Sequence, residues 1–188
     1  MHNFWKMWAL ALCLTPEAFS QLISLDLDPA ATTIGWTLVG NAHTTHGTFQ
    51  LKQGHVYVNA ANGHISGEIV VAADSGDSGN AARDKRMKRE ILETDKYPEI
   101  RFKVSKLEGA QPIKNESNVR VAGQFTIHGV SHEISIPLQI TMNGTEFSGT
   151  GKFVVPFVDW GMKDPSNFLF KVNKTVEVEL AAAGHLRR

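Results

Sequence analysis

Cysteine is almost absent from this sequence, and the single one, Cys13, lies within the first twenty residues. From residue 21 onward the chain therefore has neither a disulfide nor a thiol nucleophile. With 188 residues it is long enough to be stabilised by a hydrophobic core alone. Basic and acidic residues number 19 each, so the net charge gives no indication of a nucleic acid or an anionic membrane as partner, and we expect no nucleic-acid binding.

Long hydrophobic runs are also missing. The apolar stretch Met7–Leu14 is much shorter than the roughly 20 residues of a membrane-spanning helix. With Lys6 before it and Ala18-Phe19-Ser20 after it, it predicts a signal peptide over residues 1–20 and export to the periplasm or secretion; a buried N-terminal helix is the alternative. Because the large Leu12 precedes Cys13, we expect no lipid anchor and no other stable membrane anchor.

Most catalytic motifs are absent: there is no phosphate-binding loop, dinucleotide glycine pattern or acidic metal loop. Gly76-Asp77-Ser78-Gly79 is similar to the nucleophile segment of trypsin-like proteases, which would make Ser78 the nucleophile of a serine-type hydrolase or stress-linked enzyme. A turn leading into a helix explains the same residues. His43 and His46 would point to opposite faces of a strand, so we predict no metal site, no cofactor and no catalysis.

What the sequence does contain is alternation of apolar and polar residues with a period of two. It is clear over residues 32–38, 99–105, 119–128, 133–140 and 168–180, and weaker over 43–51, 54–60, 65–73 and 146–155. This pattern is typical of antiparallel sheets with one apolar face. It predicts an all-β fold of eight or nine strands, a sandwich or a closed barrel, in one domain over residues 21–188.

One segment interrupts the strands and predicts a short helix near residues 79–93. Ser78 or Asn80 is the expected N-cap, and Met87 and Ile91 form one apolar stripe with Leu92 beside it. A single helix among strands predicts a lid or plug across a barrel end. Its basic residues suit a solvated face, or else Asn80 and Arg83 contact an anionic head group near the helix N-terminus.

Glycines and aromatic rings share the predicted inward face. Gly67, Gly123, Gly149 and Gly151 allow the bends of barrel closure or leave room for a guest molecule, and these two interpretations are compatible. The aromatic rings form either an ordinary core or the wall of an apolar space, and a solid barrel would be a protein-interaction module. The candidate lumen residues are Ile34, Trp36, Leu38, His43, Phe49, Met87, Ile91, Ile100, Phe102, Phe125, Ile127, Phe153, Val155, Phe157, Trp160, Phe168 and Phe170.

Several motifs along the chain, from about residue 24 to 181, resemble those of the YceI-like family of lipid-binding proteins. The matching segments are Asp28-Pro29-Ala30 with Ile34-Gly35-Trp36, His43-Thr44-Thr45-His46-Gly47-Thr48-Phe49, Asp77-Ser78-Gly79-Asn80 with Arg83-Asp84, Lys96-Tyr97-Pro98-Glu99-Ile100-Arg101-Phe102, Gly123-Gln124-Phe125-Thr126-Ile127-His128-Gly129-Val130, and Asp159-Trp160-Gly161-Met162 with Pro165. One departure is Ala31, where many members carry histidine.

This resemblance implies an eight-stranded antiparallel, lipocalin-like barrel with a helix inserted between strands. It further implies that an internal channel binds long isoprenoids, including prenyl pyrophosphates and quinone-type lipids, or fatty-acid derivatives, without catalysis. Many members of the family are periplasmic. If the usual histidine at position 31 helps to set the channel mouth, the head-group preference of this chain differs. A homodimer is compatible with the sequence.

Overall fold

The computed structural model describes residues 22–59, 62–109 and 115–187, so the predicted signal peptide at residues 1–20 lies outside the described residues. These parts of the chain form nine strands and one short helix. The strands are β1 (Leu22–Leu27), β2 (Thr33–Val39), β3 (Thr44–Asn59), β4 (Ile65–Asp77), β5 (Glu99–Gly109), β6 (Glu116–Ile127), β7 (Val130–Asn143), β8 (Glu146–Val155) and β9 (Val176–Arg187).

All neighbouring strands pair antiparallel, and the sheet closes on itself. Strands β3 to β9 follow one another around the ring in chain order. The first two strands share the remaining position, because β1 and β2 pair with different stretches of the same two neighbours, β3 and β9. The ring therefore has eight positions, which confirms the predicted eight-stranded antiparallel barrel.

A tight turn at Asp28 separates β1 from β2. The Asp28 carboxylate accepts a hydrogen bond from the backbone N–H of Ala30 at 2.8 Å, and its carbonyl accepts one from Ala31 at 3.2 Å. The side chain of an aspartate often closes such a turn with its own backbone. After the turn the chain continues between the same two neighbouring strands, β3 and β9. The short strands β1 and β2 therefore occupy one position of the ring together.

The helix lies between β4 and β5, as predicted, and therefore covers the barrel end at which β4 stops. Helix α1 (Ala81–Arg86) begins at Asn80, whose side chain accepts a hydrogen bond from the N–H of Arg83 at 3.0 Å. It continues into a π-helical turn (Met87–Ile91), in which the N–H of Leu92 donates to the carbonyl of Met87 at 2.9 Å. We call this end of the barrel the helix end and the opposite one the far end.

Three predicted strands differ in the structure. In place of separate strands over residues 43–51 and 54–60, the structure has one long strand, β3 (Thr44–Asn59), which pairs with β4 through two irregularities in register. Residues 168–172 are not a strand but part of a loop, whose described pairing is a single bridge between Gly40 and Val172. The cause is Asn167, whose side chain accepts hydrogen bonds from the N–H groups of Leu169 and Phe170 and turns the backbone.

The two halves of the barrel interior differ. Towards the far end, the inward side chains are buried against one another and fill the space; they include Leu25, Val56, Ile65, Val104, Val119 and Val121. Towards the helix end, inward side chains such as those of Phe102 and Phe125 surround an open space. In the described part of the chain, no helix is long and apolar enough to cross a membrane.

Candidate ligand cavity

A cavity of about 390 Å³ occupies the helix end of the barrel. This is near the lower end of the roughly 300–1,000 Å³ typical of sites for drug-sized molecules. Its wall is mostly aliphatic and aromatic. The predicted lumen residues that lie on it are Ile34, Trp36, Leu38, His43, Phe49, Met87, Ile91, Ile100, Phe102, Phe125, Ile127, Phe153, Val155, Phe157 and Phe170.

Two predicted lumen residues lie elsewhere. Trp160 stacks on His132, with ring centroids 3.9 Å apart and planes 6° from parallel, and is not among the wall residues. The turn after β8 sends Phe157 and Met162 to the cavity instead, held by a 3.0 Å hydrogen bond from the N–H of Met162 to the carbonyl of Phe157. Phe168 points into solvent, because its segment is a loop and not the predicted strand.

The wall also contains residues that the sequence interpretation did not assign to it. They are Gly35, Thr45, Ile69, Val71, Arg86, Leu92, Arg101, Ile136, Met162, Pro165, Asn167, Val172, Val176, Val178 and Leu180. Most are inward positions of strands that the alternation had already predicted. The missing information was which half of the barrel is hollow.

The four glycines that the sequence placed in the lumen are not on the cavity wall. At Gly67, Gly123 and Gly151, a Cβ would overlap the backbone of a neighbouring strand, at His55, Lys103 and Pro137 respectively. At Gly149, a Cβ would make only ordinary contacts. Three of these glycines therefore allow close approach of strands in a strongly bent sheet, and none of the four is on the wall of the cavity.

The helix closes the cavity through Met87. A Cβ at Gly76, on β4, would come within 2.5 Å of the Met87 methyl group and 2.7 Å of the Phe49 ring. The absence of a side chain at Gly76 thus lets Met87 and Phe49 pack over the strand. The π-helical turn brings Ile91 and Leu92 to the wall beside Met87, which gives the short helix three apolar contacts with the cavity.

The polar groups of the wall are basic or neutral. Among the described wall residues there is no aspartate or glutamate, whereas Arg83, Arg86 and Arg101 are present. Five wall residues are also exposed to solvent: His43, Arg86, Arg101, Asn167 and Phe170. Arg101 pairs with Glu68 and Glu99, whereas the other four mark the opening. The opening thus lies between α1 and the segment of residues 163–174, which we call the rim loop.

Two contacts join the helix to the rim loop. Arg86 Nη2 donates to the carbonyl of Pro165 at 3.2 Å, and Lys163 Nζ lies 3.0 Å from Glu90 Oε2. Hydrogen bonds from Arg89 and then Lys163 lower the pKa of Glu90 to about 2. The carboxylate is therefore charged at neutral and mildly acidic pH, and this link is lost only as the pH falls below the ordinary range of a glutamate towards 2.

The Ser78 hydroxyl is bound within the helix N-terminus. It donates to Asp84 Oδ1 at 2.5 Å and accepts from Arg83 Nε at 2.7 Å. The backbone N–H of Ser78 also donates to Asp84, which is buried, and the Ser78 carbonyl accepts from Arg83. Activation of a serine nucleophile needs a general base such as histidine within hydrogen-bond reach, and these partners are an aspartate and an arginine that hold the helix in place.

The two head-group candidates have different positions. Arg83 lies on the cavity wall, although its Nε and Nη2 are already bonded to Ser78. Asn80 is exposed and caps the helix, and it is not on the wall. Arg86, one helical turn further along, is on the wall and at the opening, which makes it the better placed cation.

Comparison with known proteins shows which family has this architecture. A family model for the YceI-like domain matches residues 25–183. The chain belongs to the YceI-like domain family. A separate search of curated proteins found no match.

Solved structures with similar folds come from several bacteria. BcnA of Burkholderia cenocepacia superposes on this YceI-like chain with a TM-score of 0.69 at 20% identity, covering 85% of this chain and 99% of that one. A polyisoprenoid binding domain from Saccharophagus degradans, implicated in plant cell wall breakdown, gives 0.65 at 15% identity, covering 87% and 98%. The YCEI protein of Campylobacter jejuni gives 0.53 at 16% identity, covering 100% and 94%. At these identities the likeness concerns the fold.

Several motif residues of this YceI-like barrel stabilise the fold away from the cavity. Tyr97 packs against the two-residue turn between β6 and β7, with its ring centroid 4.7 Å from that of His128. A Cβ at Gly129 would overlap the same ring. His128 Nε2 lies 2.5 Å from Glu93 Oε2, which ties this hairpin to the segment that follows the helix.

The departure at Ala31 also lies away from the cavity. Ala31 is exposed in the turn between β1 and β2 and is not on the wall of this YceI-like barrel. His43 is on the wall, whereas His46 hydrogen-bonds Thr37 at 2.9 Å and is exposed. Among the described residues, no group of three or more His, Cys, Asp or Glu side chains is arranged to hold a metal ion.

Proposed function

We propose that this protein binds an isoprenoid-like lipid in the cavity at the helix end and carries or sequesters it without chemical change. The observation that carries this proposal is an apolar cavity of about 390 Å³ inside a closed barrel of the YceI-like family. A related fold from Saccharophagus degradans is described as a polyisoprenoid binding domain. The signal peptide predicted at residues 1–20 supports a periplasmic or secreted site of action.

Burial of hydrocarbon provides the driving force. Each methylene group removed from water contributes roughly 0.8 kcal/mol, so a few prenyl units can bind tightly without strong polar contacts. The cavity volume suits a short chain or one end of a longer chain. We therefore expect selection for the shape and width of the chain, with the remainder of a long lipid outside the opening.

The charge of the wall favours a particular orientation. Arg83 and Arg86 line the cavity on its helix side, and the described wall contains no carboxylate. Guanidinium groups bind phosphate and carboxylate oxygens well. We propose that the hydrocarbon end enters first and that an anionic or oxygen-rich head group lies beside Arg86 at the opening.

Extraction of the purified protein with organic solvent, followed by mass spectrometry, tests the proposal directly. We expect a prenyl lipid or a lipid of similar width in an amount close to one molecule per protein, bound in the barrel. A protein that yields no lipid, and that takes up neither farnesol nor farnesyl diphosphate when these are added, would contradict the proposal. A solid barrel that serves protein interaction would give that result.

Changing Arg86 to glutamine tests the head-group orientation. Hydrogen bonds to charged groups contribute about 1.5–3 kcal/mol, so R86Q should weaken binding of farnesyl diphosphate by roughly tenfold or more. Binding of farnesol, which has no charge, should be almost unchanged. Both affinities can be measured by calorimetry. K85Q is the matched control, because Lys85 precedes Arg86 on the helix but is not on the cavity wall; an equal effect of the two variants would contradict the assignment.

A further inference from the structure

The tip of the rim loop exposes three consecutive large apolar side chains. Phe168 is 93% exposed, Leu169 is 69% and Phe170 is 53%. The other large apolar side chains that are exposed in the described residues occur singly along the chain, at Leu22, Val39, Tyr57, Val130 and Val154. Single exposed residues are normal on a protein surface, but a contiguous apolar patch marks an interaction site.

Hydrogen bonds hold this tip in its exposed conformation. Asn167 Oδ1 accepts from the N–H groups of Leu169 at 2.9 Å and Phe170 at 2.8 Å. From the neighbouring loop, Asn41 Oδ1 accepts from the N–H of Lys171 at 3.0 Å, and Asn41 Nδ2 donates to the carbonyl of Leu169 at 3.2 Å. The backbone of the loop is thus fixed from two sides, with the side chains of Phe168 and Leu169 mostly in solvent.

The tip lies at the opening of the cavity. Asn167 and Phe170 are wall residues, and Phe168 and Leu169 lie between them in the chain. The exposed surface is therefore continuous with the apolar wall through the Phe170 ring. A hydrocarbon chain that leaves the cavity would pass this surface.

Basic residues lie beside the opening although the chain as a whole is neutral. Arg83 and Arg86 are on the cavity wall, and the rim loop carries three basic residues and one acidic residue. The other basic side chains of the helix, those of Lys85, Lys88 and Arg89, line a separate groove. The Arg86 and Lys163 contacts hold the two segments together. An excess of cations beside an exposed apolar tip is complementary to a bilayer that contains anionic lipids.

We propose that Phe168, Leu169 and Phe170 insert into the surface of an anionic lipid bilayer, with Arg86 and the basic residues of the rim loop against the head groups. The opening of the cavity then faces the membrane, and a lipid can pass between bilayer and barrel without crossing water. The purpose of this contact rests on the proposed lipid binding, but the contact itself can be measured separately.

Flotation with vesicles tests the contact. The purified protein should float with vesicles of equal parts phosphatidylcholine and phosphatidylglycerol, more weakly with phosphatidylcholine alone, and less at high salt because ions screen the charges. The double variant F168S/L169S should reduce the floating fraction by about tenfold. L22S is the matched control, because Leu22 is 54% exposed at the far end of the barrel and its loss should leave flotation unchanged.

Lipid extraction from the same protein preparations, before vesicles are added, distinguishes a failure of this inference from a failure of the proposed function. Equal flotation of F168S/L169S and the unaltered protein, or no flotation of either, would overturn the docking surface. Flotation that depends on the tip, in a protein that holds no lipid, would support the docking surface and contradict the lipid-binding function. We expect the variant to retain farnesol binding in solution while the transfer of a fluorescent prenyl lipid to vesicles slows.

Discussion

Replacing Gly123 with alanine should lower the free energy of unfolding by about 3 kcal/mol, as expected when an atom is forced into a closely packed site. Gly123 lies on β6, opposite Val104 of β5, beside an irregularity in their register. A Cβ there would overlap the Lys103 carbonyl group, which is backbone and has little freedom to move away. Urea unfolding followed by circular dichroism measures the change.

Gly149→Ala provides the matched control for this prediction. Gly149 is also buried in a strand, but a Cβ there would lie 3.9 Å from its nearest neighbours. The free energy of unfolding of G149A should be unchanged or raised by up to about 1 kcal/mol, since alanine reduces the entropy of the unfolded chain. If both variants are as stable as the unaltered protein, the close approach of β5 and β6 at Gly123 is wrong.

The same geometry changes the expected effect of larger residues at these positions. If Gly123 and Gly151 lined the lumen, leucine in their place would fill the cavity and leave the fold intact. A Cβ at Gly151 would instead overlap the carbonyl of Pro137 on β7. Leucine at either position is therefore expected to disrupt the barrel, and it cannot serve as a test of ligand binding.

A tryptophan in place of Val178 should abolish most of the lipid binding while the barrel still folds. Val178 lies on β9, in register with Trp36 and Phe153, and all three are on the cavity wall. The larger ring would occupy space that a ligand needs. Losing the burial of even three methylene groups, at roughly 0.8 kcal/mol each, weakens binding about fiftyfold.

Val154→Trp is the control for this substitution. Val154 is on the adjacent strand β8, faces outward and is 55% exposed, so the same change of residue adds nothing to the cavity. Farnesol binding, measured by calorimetry, should fall strongly in V178W and remain in V154W, with similar circular dichroism spectra for both. Unchanged binding in V178W would show that the ligand lies elsewhere.

Much of the fold could be predicted from the sequence, because side chains on a strand alternate between two faces whatever their neighbours are. Ile100 and Phe102, or Phe125 and Ile127, are inward by this rule alone, and they are on the cavity wall. The helix was also predictable, since Asn80 can cap it and Met87 and Ile91 form its apolar stripe.

Which half of the barrel is hollow could not be predicted in this way. Val119 and Val121 alternate as regularly as Phe125 and Ile127 on the same strand, yet only Phe125 and Ile127 are on the cavity wall. Whether an inward side chain faces a cavity depends on how closely the eight strands approach one another at that level of the barrel and on which segment covers that end. Strand periodicity carries no information about either, so residues such as Val71 and Val178 were assigned to strands but not to the cavity.

Local hydrogen bonds and backbone contacts account for the remaining errors. Phe168 and Phe170 fit the alternation of a strand, but the Asn167 side chain accepts hydrogen bonds from the N–H groups of Leu169 and Phe170 and so favours a loop. For Arg86 a signal did exist. It lies three residues after Arg83, hence on the same side of a helix, and Arg83 had already been chosen as a head-group candidate.

The packing of the far half of the barrel makes the cavity a dead end. A guest would then enter and leave through the opening between α1 and the rim loop, with one end of its chain first. Val104 and Val121 are buried in the far half and are not on the cavity wall, so the space open to the guest ends before it reaches them, and this depth limits the length of the inserted part. Whatever chemical group terminates the outer end of the guest would stay within reach of other molecules while the inner end is enclosed.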